Sequence, residues 1–181
     1  MKKYELTSET KVINGVELHR IKALDSFGNV KKGELGGWIE SEKNLSQDGN
    51  AWVYGNAWVF DNAKVRENAK VDGNAWVFGH VEVYGNAKVY GNAKVCGNAT
   101  VRGKEDFIVF KNWWSSGRYF TWTRSNNKWK VGCFYGSGEE LIKKAYKDSE
   151  KSGREYERVV KYVNDIIKEE ENDNENNKGT Y

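Results

Sequence analysis

The sequence predicts a mainly β protein: a solenoid of short strands, with a β cap before it and a small α+β module after it. Three observations carry this reading. From Gly49 to Arg102 the chain runs through nine hexads without insertion, GNAWVY GNAWVF DNAKVR ENAKVD GNAWVF GHVEVY GNAKVY GNAKVC GNATVR. Ahead of the repeat, Val12-Ile13-Asn14-Gly15-Val16-Glu17-Leu18 places Asn-Gly between apolar residues, the strongest short-range hairpin signal. Behind it the period stops, and ring-rich strands give way to two amphipathic helix patterns.

Residues 1–36 read as a β-ribbon cap, with a second turn at Asp25-Ser26-Phe27-Gly28-Asn29. The solenoid occupies 37–103. A six-residue period fits neither an α-helix nor a simple hairpin array, but it fits strands that alternate with tight corners. Val holds the fifth place of every hexad and Ala the third in all but one, where Val81 stands. Neighbouring side chains on a strand point to opposite faces, so Val points inward, Ala is a smaller interior residue, and places four and six point outward. Gly-Asn sits at the corner because both residues tolerate positive φ. Three hexads make a triangular coil, and Gly37–Asp48 adds an imperfect two-thirds of a further one. At about 4.8 Å per coil the prism stands about 15–18 Å tall.

Residues 104–168 read as the α+β module. Phe107-Ile108-Val109-Phe110 is a strand, and Arg118–Thr123 pairs with Lys128–Phe134 over Ser125-Asn126-Asn127. Ser137 with Glu140 and Ser152 with Glu155 match the Ser-x-x-Glu capping box, so each starts a helix. The second helix puts Tyr156, Val159, Val160, Val163, Ile166 and Ile167 on one face. The acidic, Asn-rich stretch 169–181 has the composition of a disordered tail.

The run of V-x-G-N-A-x across Gly49–Arg102 resembles the hexapeptide-repeat superfamily, whose fold is a left-handed parallel β-helix; the handedness comes from that resemblance and not from the spacing. The lead-in Asn29-Val30-Lys31-Lys32-Gly33-Glu34-Leu35-Gly36-Gly37-Trp38-Ile39, with Leu45-Ser46-Gln47-Asp48-Gly49, is similar to a bacterial and phage subgroup labelled acyltransferases on the repeat alone. Ser116-Gly117-Arg118, Thr121 and Gly132-Cys133-Phe134-Tyr135-Gly136 look like the tail module of some phage-encoded members. The superfamily implies homotrimers packed about a three-fold axis, and for its acyltransferases a His general base in a cleft between subunits.

Hexads two, five and eight stack on one face and present Trp58, Phe60, Trp76, Phe78, Lys94 and Cys96. Rings side by side on an outer surface indicate an interface, so Trp58, Phe60, Trp76 and Phe78 are the candidate oligomer contacts, the competing readings being that the C-terminal domain folds back over them or that they only fill cross-strand ladders. For catalysis the candidate is His80, at a corner otherwise held by Asn, with no carboxylate partner in view. His19 lies in the ribbon, and no loop interrupts the hexads to embrace a pantetheine arm. One histidine in the repeat makes no metal shell. Cys133 beside Gly132 is read as a buried, structural thiol rather than a reactive one.

The binding hypothesis falls on the module. Arg118 offers a fork for phosphate or carboxylate, and Ser116, Tyr119, Thr121, Trp114 and Tyr135 surround it in sequence. Alternation along 118–123 sets Phe120 and Trp122 toward the core, with Tyr119, Thr121 and Thr123 on a polar, receptive face. The competing reading pairs Arg118 with a helix carboxylate such as Glu139.

Composition limits the rest. The 181 residues carry net charge +3, too little to argue for nucleic acid; two cysteines build no disulfide framework; no window is apolar enough to span a membrane; and no apolar segment follows Met1-Lys2-Lys3. The expectation is a reduced, cytoplasmic protein without cofactor. It is non-enzymatic, binding a small anionic, nucleotide-like ligand, and if phage-encoded it acts as an accessory factor that sequesters a host signal. A hexapeptide acyltransferase and a structural or protein-binding solenoid are the alternatives.

Overall fold

The computed structural model describes residues 2–178. The nine hexads form nine two-residue strands: β4 (Trp52–Val53), β5 (Trp58–Val59), β6 (Lys64–Val65), β7 (Lys70–Val71), β8 (Trp76–Val77), β9 (Glu82–Val83), β10 (Lys88–Val89), β11 (Lys94–Val95) and β12 (Thr100–Val101). Hexads three apart pair in parallel, giving the stacks β4-β7-β10, β5-β8-β11 and β6-β9-β12. Each coil donates upward: Trp58 N–H bonds Ala75 O at 2.9 Å and Trp76 N–H bonds Ala93 O at 2.9 Å. Every repeat Val and Ala is at most 1% exposed. The molecule is thus a parallel β-solenoid of about four coils.

The corners explain the first place of the hexad. Gly79 has φ +79°, and a Cβ there would lie 3.0 Å from the backbone of Gly97 one coil up. Asp61 and Glu67 hold the same left-handed conformation, at φ 55° and 62°. Their carboxylates accept the corner amide of the next coil, Gly79 N–H at 3.1 Å and Gly85 N–H at 2.9 Å. A charge-assisted bond of this kind offsets the cost of a non-glycine at positive φ.

The lead-in adds a coil. β3 (Leu35–Ile39) pairs in parallel with β5, aligning Trp38 with Trp58, and Leu45 bridges Val65 on the next stack. β1 (Tyr4–Ile13) and β2 (Val16–Ala23) form the antiparallel hairpin over Asn14-Gly15, whose φ values are 51° and 84°. β2 pairs with β3, so the ribbon extends the β5-β8-β11 sheet. Lys3 closes the solenoid end: its ammonium donates to the carbonyls of Asp48, Gly49 and Ala51 at 3.4, 3.3 and 3.0 Å. Burial lowers its pKa to about 8. Trp52, expected to point to solvent, is instead fully buried, because the ribbon lays Tyr4 and Phe27 edge-on to it with centroids 6.0 and 5.4 Å away.

The C-terminal sheet has the order β13 (Phe107–Lys111), β14 (Tyr119–Thr123), β15 (Lys128–Val131), β16 (Phe134–Gly136). The second hairpin strand is shorter than expected, since Gly132 takes φ +54° and turns the chain before Phe134. α1 (Gly138–Asp148) starts at the expected box, Ser137 Oγ accepting Glu140 N–H at 3.2 Å and Glu140 Oε2 accepting Ser137 N–H at 2.7 Å. α2 (Glu150–Lys178) starts earlier than expected: Ser149 Oγ accepts Ser152 N–H at 3.1 Å, which leaves Ser152 inside the first turn. The stretch expected to be a disordered tail is helical as far as Lys178, and Arg124 pairs with Glu170 at 2.7 Å; residues 179–181 lie outside the described residues. No helix among the described residues is long and apolar enough to cross a membrane.

Candidate functional site

The β5-β8-β11 face is where the three parts of the chain meet. Places four stack as Trp38, Trp58, Trp76 and Lys94; places six stack as Phe60, Phe78 and Cys96. Trp58 and Trp76 stack with centroids 4.3 Å apart, and Phe60 and Phe78 with centroids 5.0 Å apart and planes 2° from parallel. Within one chain these rings, candidates for contact with another copy, already have neighbours. Ile13, Val16 and Leu18 of the hairpin pack on Trp38, Phe60, Trp58 and Phe78, and Phe60 is 7% exposed.

The rest of the face is walled by the C-terminal module. β14 lies over β11, with Thr121 Oγ1 accepting Lys94 N–H at 2.9 Å. The last coil has no further coil to take its amides, and the module supplies acceptors. Ser125 Oγ accepts Thr100 N–H at 2.7 Å, and Asp106 Oδ2 accepts Arg102 N–H at 2.6 Å. Thr121 is therefore a docking residue, 1% exposed, its hydroxyl turned to the solenoid instead of a ligand. Phe120 and Trp122 point into the module's core as alternation required.

Between hairpin tip, ring face and module lies a groove of about 850 Å³. Asn14 and Val16 line it from the hairpin, Phe60, Asp61, Trp76, Phe78 and Lys94 from the solenoid, and Arg118, Tyr119, Lys130 and Cys133 from the module. Its charge is one-sided. Lys94 Nζ sits 3.8 Å from the Trp76 centroid and Lys130 Nζ 5.8 Å from that of Phe78. No carboxylate oxygen of the described residues lies within ion-pair distance of Lys94, Lys130 or Arg118. Burial lowers the pKa of Lys94, and the positive charges of Lys130 and Arg118 lower it further. Asp61 is the one lining carboxylate, and its Oδ2 is taken by Gly79. Three unpaired cations against an apolar ring wall have the chemistry that suits an anion carrying an apolar or aromatic part.

Of the six residues expected to bind ligand, Arg118 and Tyr119 line this groove. Trp114 is core, packed edge-on to Tyr156 at 4.9 Å. Tyr135 serves docking: its hydroxyl accepts from Asn126 Nδ2 at 3.1 Å and reaches Cys96 O at 3.5 Å. Ser116 lies in the loop before β14, its Oγ accepting Arg118 N–H at 3.3 Å, and lines a separate smaller pocket. His80 is exposed at a corner beside Lys43, Asn62, Lys64 and Glu82, away from the groove. His19 Nε2 lies 3.5 Å from Glu17. Cys96 is buried and its thiol pKa pushed up to about 11, whereas Cys133, expected to be buried, is exposed at the groove. Among the described residues no group of His, Cys, Asp and Glu could hold a metal ion.

Lys94 and Lys130 were missed. The signal for Lys94 was present, since it interrupts a column that reads Trp, Trp in the two preceding coils. Lys130 carries no local signal, because it reaches the groove only through the docking of β14 and β15.

These features define a β-solenoid protein with a cationic, ring-lined groove. No family model matches the chain. A stretch covering 30% of it is 37% identical over 62 residues to the uncharacterised acetyltransferase YdcK of Escherichia coli (strain K12), and the match covers 19% of that protein's length.

Proposed function

We propose that the chain is an acyl-transfer protein whose groove holds the nucleotide end of a coenzyme A thioester. The observation that carries this is the placement of Lys94, Arg118 and Lys130, unpaired, around the apolar wall of Trp76, Phe60 and Phe78. The cations suit phosphates, and the rings suit a base or the methyl groups of a pantetheine arm. The likeness to a protein named an acetyltransferase supports the reaction class. It also favours acyl transfer over the sequestering role expected from the sequence; no comparison supports a phage accessory factor. His80 has no part in the proposal, because it lies at a different corner. Assembly as a trimer is proposed on the resemblance alone, and light scattering giving three copies per particle is the expected result.

Thermal melts with acetyl-coenzyme A test the binding, since a ligand held by the native state raises the melting temperature with concentration. Release of free thiol from the thioester in the presence of a panel of amines tests the reaction. A concentration-dependent shift with amine-dependent thiol release is expected; a shift without thiol release in any mixture returns the protein to the non-enzymatic class.

A further inference from the structure

Beside the groove, and sharing Arg118, Tyr119 and Gly132 with it, lies a second pocket of about 240 Å³. Its other polar lining is Asn112, Ser115, Ser116, Asp148, Ser152 and Tyr156. It is formed where the loop before β14 meets the α1–α2 junction, so helix packing fixes it independently of the solenoid.

Two features mark it as built for a ligand. Tyr156 and Asn112 are each 6% exposed, and Asn112 Nδ2 donates to the Tyr156 hydroxyl at 3.0 Å. That hydroxyl is thereby used as an acceptor, and its own hydrogen has no acceptor among the described residues. A buried O–H left open costs stability unless something accepts from it. Asp148 is the second feature. It is exposed, sits on the last turn of α1 where the helix dipole disfavours a negative charge, and has no cation within ion-pair distance among the described residues. One wall thus offers hydroxyl donors and the other a carboxylate.

We propose that this pocket receives a small primary amine flanked by hydroxyl groups, with the ammonium on Asp148 and a hydroxyl oxygen accepting from Tyr156. Its role as the acyl acceptor rests on the acyl-transfer reading; its binding does not. In the transfer, the ammonium first gives one proton to the Asp148 carboxylate, which passes it to water; the neutral amine nitrogen then bonds to the acyl carbon, the thioester C–S bond breaks, and the departing thiolate takes the second proton. Arg118 and Tyr119, common to both spaces, stand where the two substrates meet.

The experiment is titration of the intact chain with three probes: glucosamine, which has both groups; glucose, which has hydroxyls alone; and putrescine, which has amines alone. Glucosamine is expected to bind at least about tenfold tighter than either, as a charge-assisted contact added to neutral ones requires. Asp148→Asn should bring glucosamine to the level of glucose. Tyr156→Phe, which keeps the ring and its packing, should weaken glucosamine and glucose about fivefold and leave putrescine unchanged. Equal binding of glucosamine and glucose overturns the proposal, as does an unchanged preference in Asp148→Asn. Coenzyme A binding without glucosamine binding removes this pocket and leaves the groove reading intact. Glucosamine binding that depends on Asp148, without coenzyme A binding, supports the pocket and removes the groove reading.

Discussion

The face of β4, β7 and β10 and the face of β5, β8 and β11 share one backbone, one Val-Ala interior and one corner chemistry. Their outer residues send them to different ends. The first carries Tyr54, Lys70, Asp72, Lys88 and Tyr90, a mixed and open surface with Tyr90 60% exposed. The second carries stacked rings, is overhung by the hairpin on one side and the module on the other, and collects three unpaired cations. The third face pairs Arg66 with its neighbour Glu82 at 3.0 Å and lays it 4.0 Å from the Tyr84 ring. In this solenoid the inward places are committed to the fold, while places four and six vary from face to face, Trp52 under the ribbon being the one drawn into the core. Specialisation is written in the places that leave the interior untouched.

That contrast can be broken at the interior first. Val77→Asp buries a lone carboxylate at a fully buried place and should cost more than about 4 kcal/mol, enough to abolish the cooperative melt. Its neighbour Trp76→Ala, on the outer side of the same strand, should cost about 2 kcal/mol and leave the chain folded, with the loss read as a lower melting temperature. On the open face, Lys70→Met should change stability by less than about 0.5 kcal/mol.

Ligand measurements sharpen the comparison. Arg118→Ala should weaken coenzyme A binding about ten- to a hundredfold, since a charge-assisted bond is worth about 1.5–3 kcal/mol, and the melt should be unchanged because Arg118 is exposed and touches no core ring. The smallest effect is on pH dependence. The anion needs Lys94 charged, and burial together with Lys130 and Arg118 lowers its pKa. Affinity should therefore fall as pH rises, beginning below the range of an ordinary lysine, and Lys94→Met should remove that fall. Calorimetric titration across alkaline pH reads it.

The solenoid was legible because its determinants are local. A period of six, Val and Ala on the inner side and left-handed corners all appear in the hexad itself, and the three-coil stacking follows from them. The Asn14-Gly15 hairpin and the Ser137–Glu140 box were legible for the same reason. What the sequence hid was docking. Trp52 reads as an outward residue until the ribbon covers it, and Thr121 reads as a receptive hydroxyl until the last coil needs an acceptor. The groove follows the same rule: Arg118 and Tyr119 were identified by chemistry, but Lys94 and Lys130 join them only because β14 packs on β11 across 27 residues of chain. The start of α2 was displaced by three residues for a smaller reason: two serines, Ser149 and Ser152, compete for one cap, and the first takes it.

The most direct test of the account is calorimetric titration of coenzyme A into two paired variants of the chain, Lys94→Met with Lys130→Met at the groove and Lys70→Met with Lys88→Met on the open face. Both pairs remove the same charge from the same scaffold, so long-range electrostatics is matched. Loss of binding by about a hundredfold or more in the first pair, with parental affinity in the second, is the predicted result. Equal loss in both pairs, or none in the first, would contradict the assignment of the ligand to the groove.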